Sequence, residues 1–214
     1  MESIVAQAVP MLEGSARPEG VEDDWIINFF NHARHIDDKE MQTLWARLLA
    51  GEATEPGSFS KRTMNMLRPL DKREAEVFAN FCRFVWQIDG YAMCLVYETE
   101  SSYLEPTLYV KSGITYDELS HLNSIGLTTL NTNSGFRKGT SLDSITVSYC
   151  GSVFSVNMQG LEDKSIERGF AVLNQAGREL AAITSPVPVE GFAEYVIARW
   201  RASGLDVTPS TTSP

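Results

Sequence analysis

Apolar residues recur with a helical period through the centre of the chain. Met41, Leu44, Trp45, Leu48 and Leu49 fall at i, i+3, i+4, i+7 and i+8, which predicts a helix with one face on a core. Asp37 is placed to cap it and Glu40 to complete an acidic capping box. Gly51 reads as its stop, and Glu55-Pro56-Gly57 as a turn. Ser58 or Ser60 then caps a second helix that runs to about Arg68 and ends at Pro69. At roughly 100° per residue, Phe59, Thr63, Met66 and Leu67 gather on one side of that helix. Lys61, Asn65 and Arg68 gather opposite, with Arg62 between. The polar side reads either as a solvated face or as a small basic contact patch.

The same period organises the flanks. Residues 1–20 predict an apolar helical turn and a linker, and Glu22–Arg34 a helix whose line of Trp25, Phe29 and Ala33 should pack on the 41–49 helix. Asp71 and Glu74 open a further helix with Ala75, Phe78, Cys82 and Val85 as its stripe. Residues 21–88 are therefore expected to form an all-helical unit. Past Asp89-Gly90 the pattern turns strand-like, at Tyr91–Tyr97, Leu108–Val110, Leu127–Leu130, Ile145–Tyr149, Val153–Met158 and Phe170–Leu173. Helices are expected at Tyr116–Ser124, at Gln175–Ile183 behind an Asn174 cap, and at Glu190–Ala202. Residues 131–141 read as a flexible connection and 205–214 as a disordered tail. The fold class is α+β: a helical N-terminal unit, then a strand-rich domain over 89–204. The last helix carries Phe192, Tyr195, Val196 and Trp200 and must dock on the chain or on a partner.

The segments Trp45–Glu52 (WARLLAGE) and Pro56–Thr63 (PGSFSKRT) resemble a bacterial family defined only as a domain of unknown function. The flanking DDWIINFFNHARHIDDKEMQ and LRPLDKREAEVFANF share the likeness, which covers residues 20–88 well. The core LWARLLA, Leu44–Ala50, is more distantly similar to abortive-infection proteins of the alpha type. Further on, YDELSHLNSIGL, two strands and FAVLNQAGREL resemble the last helix, wing and closing segment of a winged-helix module. That helix carries Asp117 and Glu118 and no Lys or Arg, which suits a structural or protein-binding unit better than a DNA reader.

Charge and chemistry narrow the function. A formal charge of −10 over 214 residues argues against general coating of nucleic acid. Cys82, Cys94 and Cys150 lack metal spacing and read as buried, reduced thiols in a cytoplasmic protein. No apolar run is long enough to span a bilayer. His32 and His35, at i and i+3, could share a metal but lack a third ligand, so His32 is read as a core-edge histidine. His121 is read as a surface residue beside Asp117. Neither G-x-S-x-G nor a glycine-rich phosphate loop occurs. No cofactor, metal, catalytic residue or small-molecule substrate is expected.

The candidate contact surface comprises Lys61, Arg62, Arg68, Arg47 and Glu52, although Arg47 and Glu52 could instead bridge the helix end. The leading expectation is a non-enzymatic cytosolic interaction or regulatory protein that binds a protein partner or itself. The distant likeness implies a stress or phage-defence setting. The alternative is a DNA-associated regulator, which requires Lys61, Arg62, Arg68, Lys72 and Arg73 to face with Arg137 and Lys138. An enzyme whose site assembles only in three dimensions would need a deep polar pocket around His32 or His121.

Overall fold

A computed structural model describes residues 1–12, 14–98 and 107–210. The chain runs α1 (Glu2–Ala8), α2 (Asp23–Ala33), α3 (Lys39–Thr54), α4 (Lys61–Leu67) and α5 (Lys72–Cys82) before its first strands, β1 (Val85–Ile88) and β2 (Tyr91–Cys94). Then come α6 (Leu108–Lys111), α7 (Tyr116–Ser124), β3 (Thr128–Leu130), β4 (Phe136–Gly139), β5 (Ser144–Tyr149) and β6 (Ser152–Asn157). The last elements are β7 (Ser165–Gly169), β8 (Ala171–Leu173), α8 (Gln175–Ala182), α9 (Phe192–Ala202) and β9 (Asp206–Pro209). The class is α+β, helical first and strand-rich after. Two compact units form: residues 1–76 with 175–184, and residues 77–174 with 185–214. The first unit ends within α5 and takes in α8 from later in the chain.

In the first unit α1 packs on α3 through Ile4 and Ala8. The aromatic line of α2 meets α3 as its period requires. Trp25 and Phe29 stack at 5.3 Å, and Phe29 lies 5.4 Å from Trp45. The cap of α3 is Asp38, not Asp37: its carboxylate accepts from the Glu40 and Met41 amides, both at 2.9 Å. Asp38 is the residue held in extended geometry at the helix entry. Nor does Gly51 end α3, which continues to Thr54. Gly51 is small for a different reason, since a Cβ there would sit 2.7 Å from Phe59 Cε2. At α5 the capping box forms as read, with Glu74 N donating to Asp71 and Asp71 N to Glu74. The helix stops at Cys82, so Val85 belongs to β1 rather than to a helical stripe.

The second unit is built on an antiparallel sheet in the order β2-β1-β5-β6-β9. Two tight turns set its register. Asp89-Gly90 joins β1 to β2 with φ of 50° and 76°, and Cys150-Gly151 joins β5 to β6 with φ of 45° and 88°. Both residues of each turn are left-handed, the type I′ geometry that matches strand twist. The second turn exposes Cys150, which corrects the expectation of three buried thiols. Cys82 and Cys94 are buried, and burial pushes the Cys94 thiol well up.

Three further expectations change. Leu108–Val110 is helical, capped by Thr107, because a three-residue apolar run carries no period. Residues 131–141 are no loop throughout: β4 pairs with β7, and its own sequence, FRKG, has no apolar alternation to read. The tail reading also fails over 206–209, where β9 pairs with β6 and buries Val207. A single buried side chain leaves no pattern, while the backbone ladder supplies the pairing. Residues 211–214 lie outside the described residues. β3 pairs with β8, and five strands, β3 to β7, lie between residues 127 and 170, where the winged-helix resemblance implies two.

Helix α9 docks within the second unit. Trp200 Nε1 donates to Tyr97 Oη at 3.0 Å and its ring meets Trp86 at 5.1 Å. Tyr109, Tyr149 and Tyr195 surround Phe192, and the Tyr97 ring lies 6.1 Å from that of Tyr195. Burial raises the pKa of each phenol, that of Tyr149 to about 12 from an ordinary 10.0. The folded unit holds protons that an unfolded chain releases near 10, so its stability is complete below that pH and falls as pH rises through about 12. Alkaline titration should therefore show tyrosinate absorbance rising together with loss of near-UV circular dichroism. Ionisation of these four phenols near the ordinary value with the fold intact would contradict this packing.

Candidate functional site

The motif folds as a clasp in the first unit. Glu52, on the last turn of α3, is 2% exposed and reaches back over the Pro56-Gly57 turn. Its Oε1 accepts from Gly57 N at 2.7 Å and its Oε2 from Phe59 N at 2.9 Å. Gly57 occupies φ of 92°, open only to a residue without Cβ strain. Trp25 Nε1 donates to Phe59 O at 2.6 Å, so α2 grips the same turn. From α8, Glu179 accepts from Ser60 N at 2.8 Å and from Thr63 Oγ1 at 2.5 Å. Ser60 itself caps α4 by accepting from Thr63 N. The clasp borders a pocket of about 360 Å³ lined by Glu22, Trp25, Glu52, Gly57, Phe59 and Lys61, among others.

The structure separates the five candidate contact residues. Glu52 is a buried acceptor for the turn. Arg47 Nη1 donates to Ile183 O at 3.3 Å, which ties α3 to the segment after α8. Glu52 and Arg47 therefore each hold a different partner rather than bridging the end of α3 together. Lys61 pairs with Asp24 at 3.0 Å. Arg62 and Arg68 are exposed, with Asn65 on the same outward side of α4, and neither arginine forms an ion pair among the described residues. The buried side of α4 is Thr63, Met64 and Leu67, not the expected set with Met66. Phe59 precedes the cap, so it does not lie on the helix and cannot mark its face.

His32 behaves as a core-edge histidine, with Nε2 3.0 Å from Asn65 Oδ1 and its ring 6.2 Å from Trp45. His35 meets Arg34 Nε instead of a shared ligand. Among the described residues no group of three or more His, Cys, Asp or Glu side chains is placed to hold a metal ion. No helix among them is long and apolar enough to cross a membrane. Sequence reasoning missed Glu179 and Trp25 as clasp residues. Trp25 carried a helical period but no sign of its donor role. Glu179 lies 119 residues from Ser60, beyond any local signal.

The sequence model of a family described as a protein of unknown function, DUF2806, matches residues 1–197. No curated protein and no solved structure matches the chain.

Proposed function

We propose a function for this chain, which belongs to the DUF2806 family, from the surface that its motif leaves open. It is a non-catalytic bacterial cytosolic interaction protein, and α4 presents its contact face. One observation carries the reading. Arg47 and Glu52 are committed to the fold, whereas Arg62, Asn65 and Arg68 stand exposed on a helix anchored through Ser60 and Thr63. Two guanidinium groups held on a rigid element, without carboxylate partners among the described residues, suit an acidic patch on another protein. A role as regulatory or structural component of a stress or phage-defence system rests on the resemblance of Leu44–Ala50 alone.

The DNA-associated regulator is less well supported. Lys61, Lys72 and Arg137, three of the cations it needs, are paired with Asp24, Glu40 and Asp163, and Lys138 sits 4.6 Å over the Tyr91 ring. Phosphate contacts would have to displace those carboxylates. Affinity capture from the native host tests the choice, with wild type beside Arg62→Glu/Arg68→Glu. We expect one specific protein to be recovered with wild type and lost with the variant. Nucleic acid lost in its place would favour the regulator, and a partner that persists would remove α4 from the interface.

A further inference from the structure

Asn65 lies between Arg62 and Arg68 at the three-residue spacing that makes helix side chains neighbours. All three are exposed, and Arg68 keeps helical geometry at the end of α4, with φ of −55° and ψ of −48°. Half-buried His32 reaches Asn65 from α2, with its Nε2 3.0 Å from Asn65 Oδ1. The imidazole is itself held against the core, its ring 6.2 Å from that of Trp45 on α3. An amide oxygen only accepts, so His32 Nε2 donates. The Asn65 Nδ2 group and its two N–H donors are thereby left for another acceptor, and among the described residues they have none.

Oxygen and nitrogen give an asparagine amide nearly the same shape at both ends, so only a hydrogen bond fixes which end it presents. Turned the other way, Asn65 would set an acceptor oxygen toward an incoming carboxylate. The bond from His32 removes that choice, and the face then only donates, through two guanidinium forks and one amide. Ionised carboxylates accept and do not donate, which makes them its complement. A nucleic-acid backbone also presents acceptors, but it needs cations along its length, and Lys61 and Lys72 are already paired with Asp24 and Glu40. We propose that the contact face runs from α4 onto α2 and takes an acidic segment of another protein. Its carboxylates accept from Arg62, Asn65 and Arg68 together, and His32 is the positioning residue that orients Asn65. This assignment rests on the α4 reading and adds to it the second helix and the donor-only chemistry of recognition.

The full chain, labelled with nitrogen-15, would be titrated with an acetylated hexaglutamate amide and separately with oligothymidylate. The readouts are the backbone amides of α4 and, where it is retained, the Asn65 side-chain amide. Saturable shifts with hexaglutamate are expected in wild type and lost in Arg62→Glu/Arg68→Glu. His32→Leu should weaken the peptide about three- to tenfold, the worth of one hydrogen bond. His32→Gln keeps an N–H for Asn65 and should bind as wild type does. In an Asn65→Ala background His32→Leu should cause no further loss, because its effect runs through Asn65. Full affinity in His32→Leu, or an undiminished loss in the Asn65→Ala background, would overturn the assignment. If Arg62→Glu/Arg68→Glu still abolished binding, the α4 reading would stand without it. No saturable shift in wild type would overturn both, and tighter binding of oligothymidylate than of the peptide would overturn the acidic-segment class.

Discussion

Gly169→Ala is expected to destabilise the second unit by about 3 kcal/mol or more. Gly169 holds φ of 80°, and a Cβ built there lies 1.9 Å from Val96 O and 2.4 Å from Val96 C. Those atoms are backbone, so no rotamer change relieves the overlap. Val96 O also accepts from Phe170 N at 2.7 Å, the bond that carries the chain from β7 into β8. An added methyl group must push the two segments apart and break that bond. Left-handed geometry adds its own penalty for a residue with a side chain. Denaturant unfolding followed by near-UV circular dichroism would read the loss, with hydrogen exchange accelerated first in β7 and β8. An unchanged midpoint would mean that Gly169 does not approach Val96 as described.

The second large effect belongs to Glu52→Ala, about 3 kcal/mol in the first unit. Two backbone N–H groups lose their acceptor, each worth roughly 1–3 kcal/mol when left unsatisfied. Removing a buried charge offsets part of that cost. Gly57 and Phe59 would be released together, and with Phe59 goes the carbonyl that receives Trp25 Nε1. Glu52→Gln retains one acceptor oxygen and should fall between alanine and wild type. Thermal unfolding of the three proteins measures the order directly. Equal stability of alanine and wild type would show that the turn does not depend on Glu52.

The sequence revealed whichever parts of the fold rest on local repetition. The line of α2, the Met41, Trp45 and Leu48 positions of the α3 stripe and the Asp71–Glu74 box follow from period and capping chemistry, as does Ser60 of the two serines read as caps. The structure bears these out, while Leu44 and Leu49 are only half-buried. The same logic misread Gly51, because a glycine that admits a neighbouring ring looks like one that ends a helix. Strands β4 and β9 were illegible: each is fixed by backbone pairing with a strand distant in sequence, not by side-chain alternation. Glu52 stood out as a charged motif residue, but its acceptor role depends on the turn geometry five to seven residues on. Glu179 gave no local sign, since the segment it holds lies more than a hundred residues earlier. Period places Asn65 and Arg68 outward together with Lys61 and sets Arg62 between the faces, whereas the structure exposes Arg62, Asn65 and Arg68 and leaves Lys61 half-buried.

The account divides the motif into residues that hold the fold and residues that face outward for contact. Thermal unfolding of Arg62→Glu/Arg68→Glu tests that division most directly. Exposed positions without ion pairs predict a shift within about 0.5 kcal/mol of wild type, so that any loss of partner capture reports a lost surface. A variant that unfolds as readily as Glu52→Ala would contradict the account, because α4's outward cations would then belong to the fold.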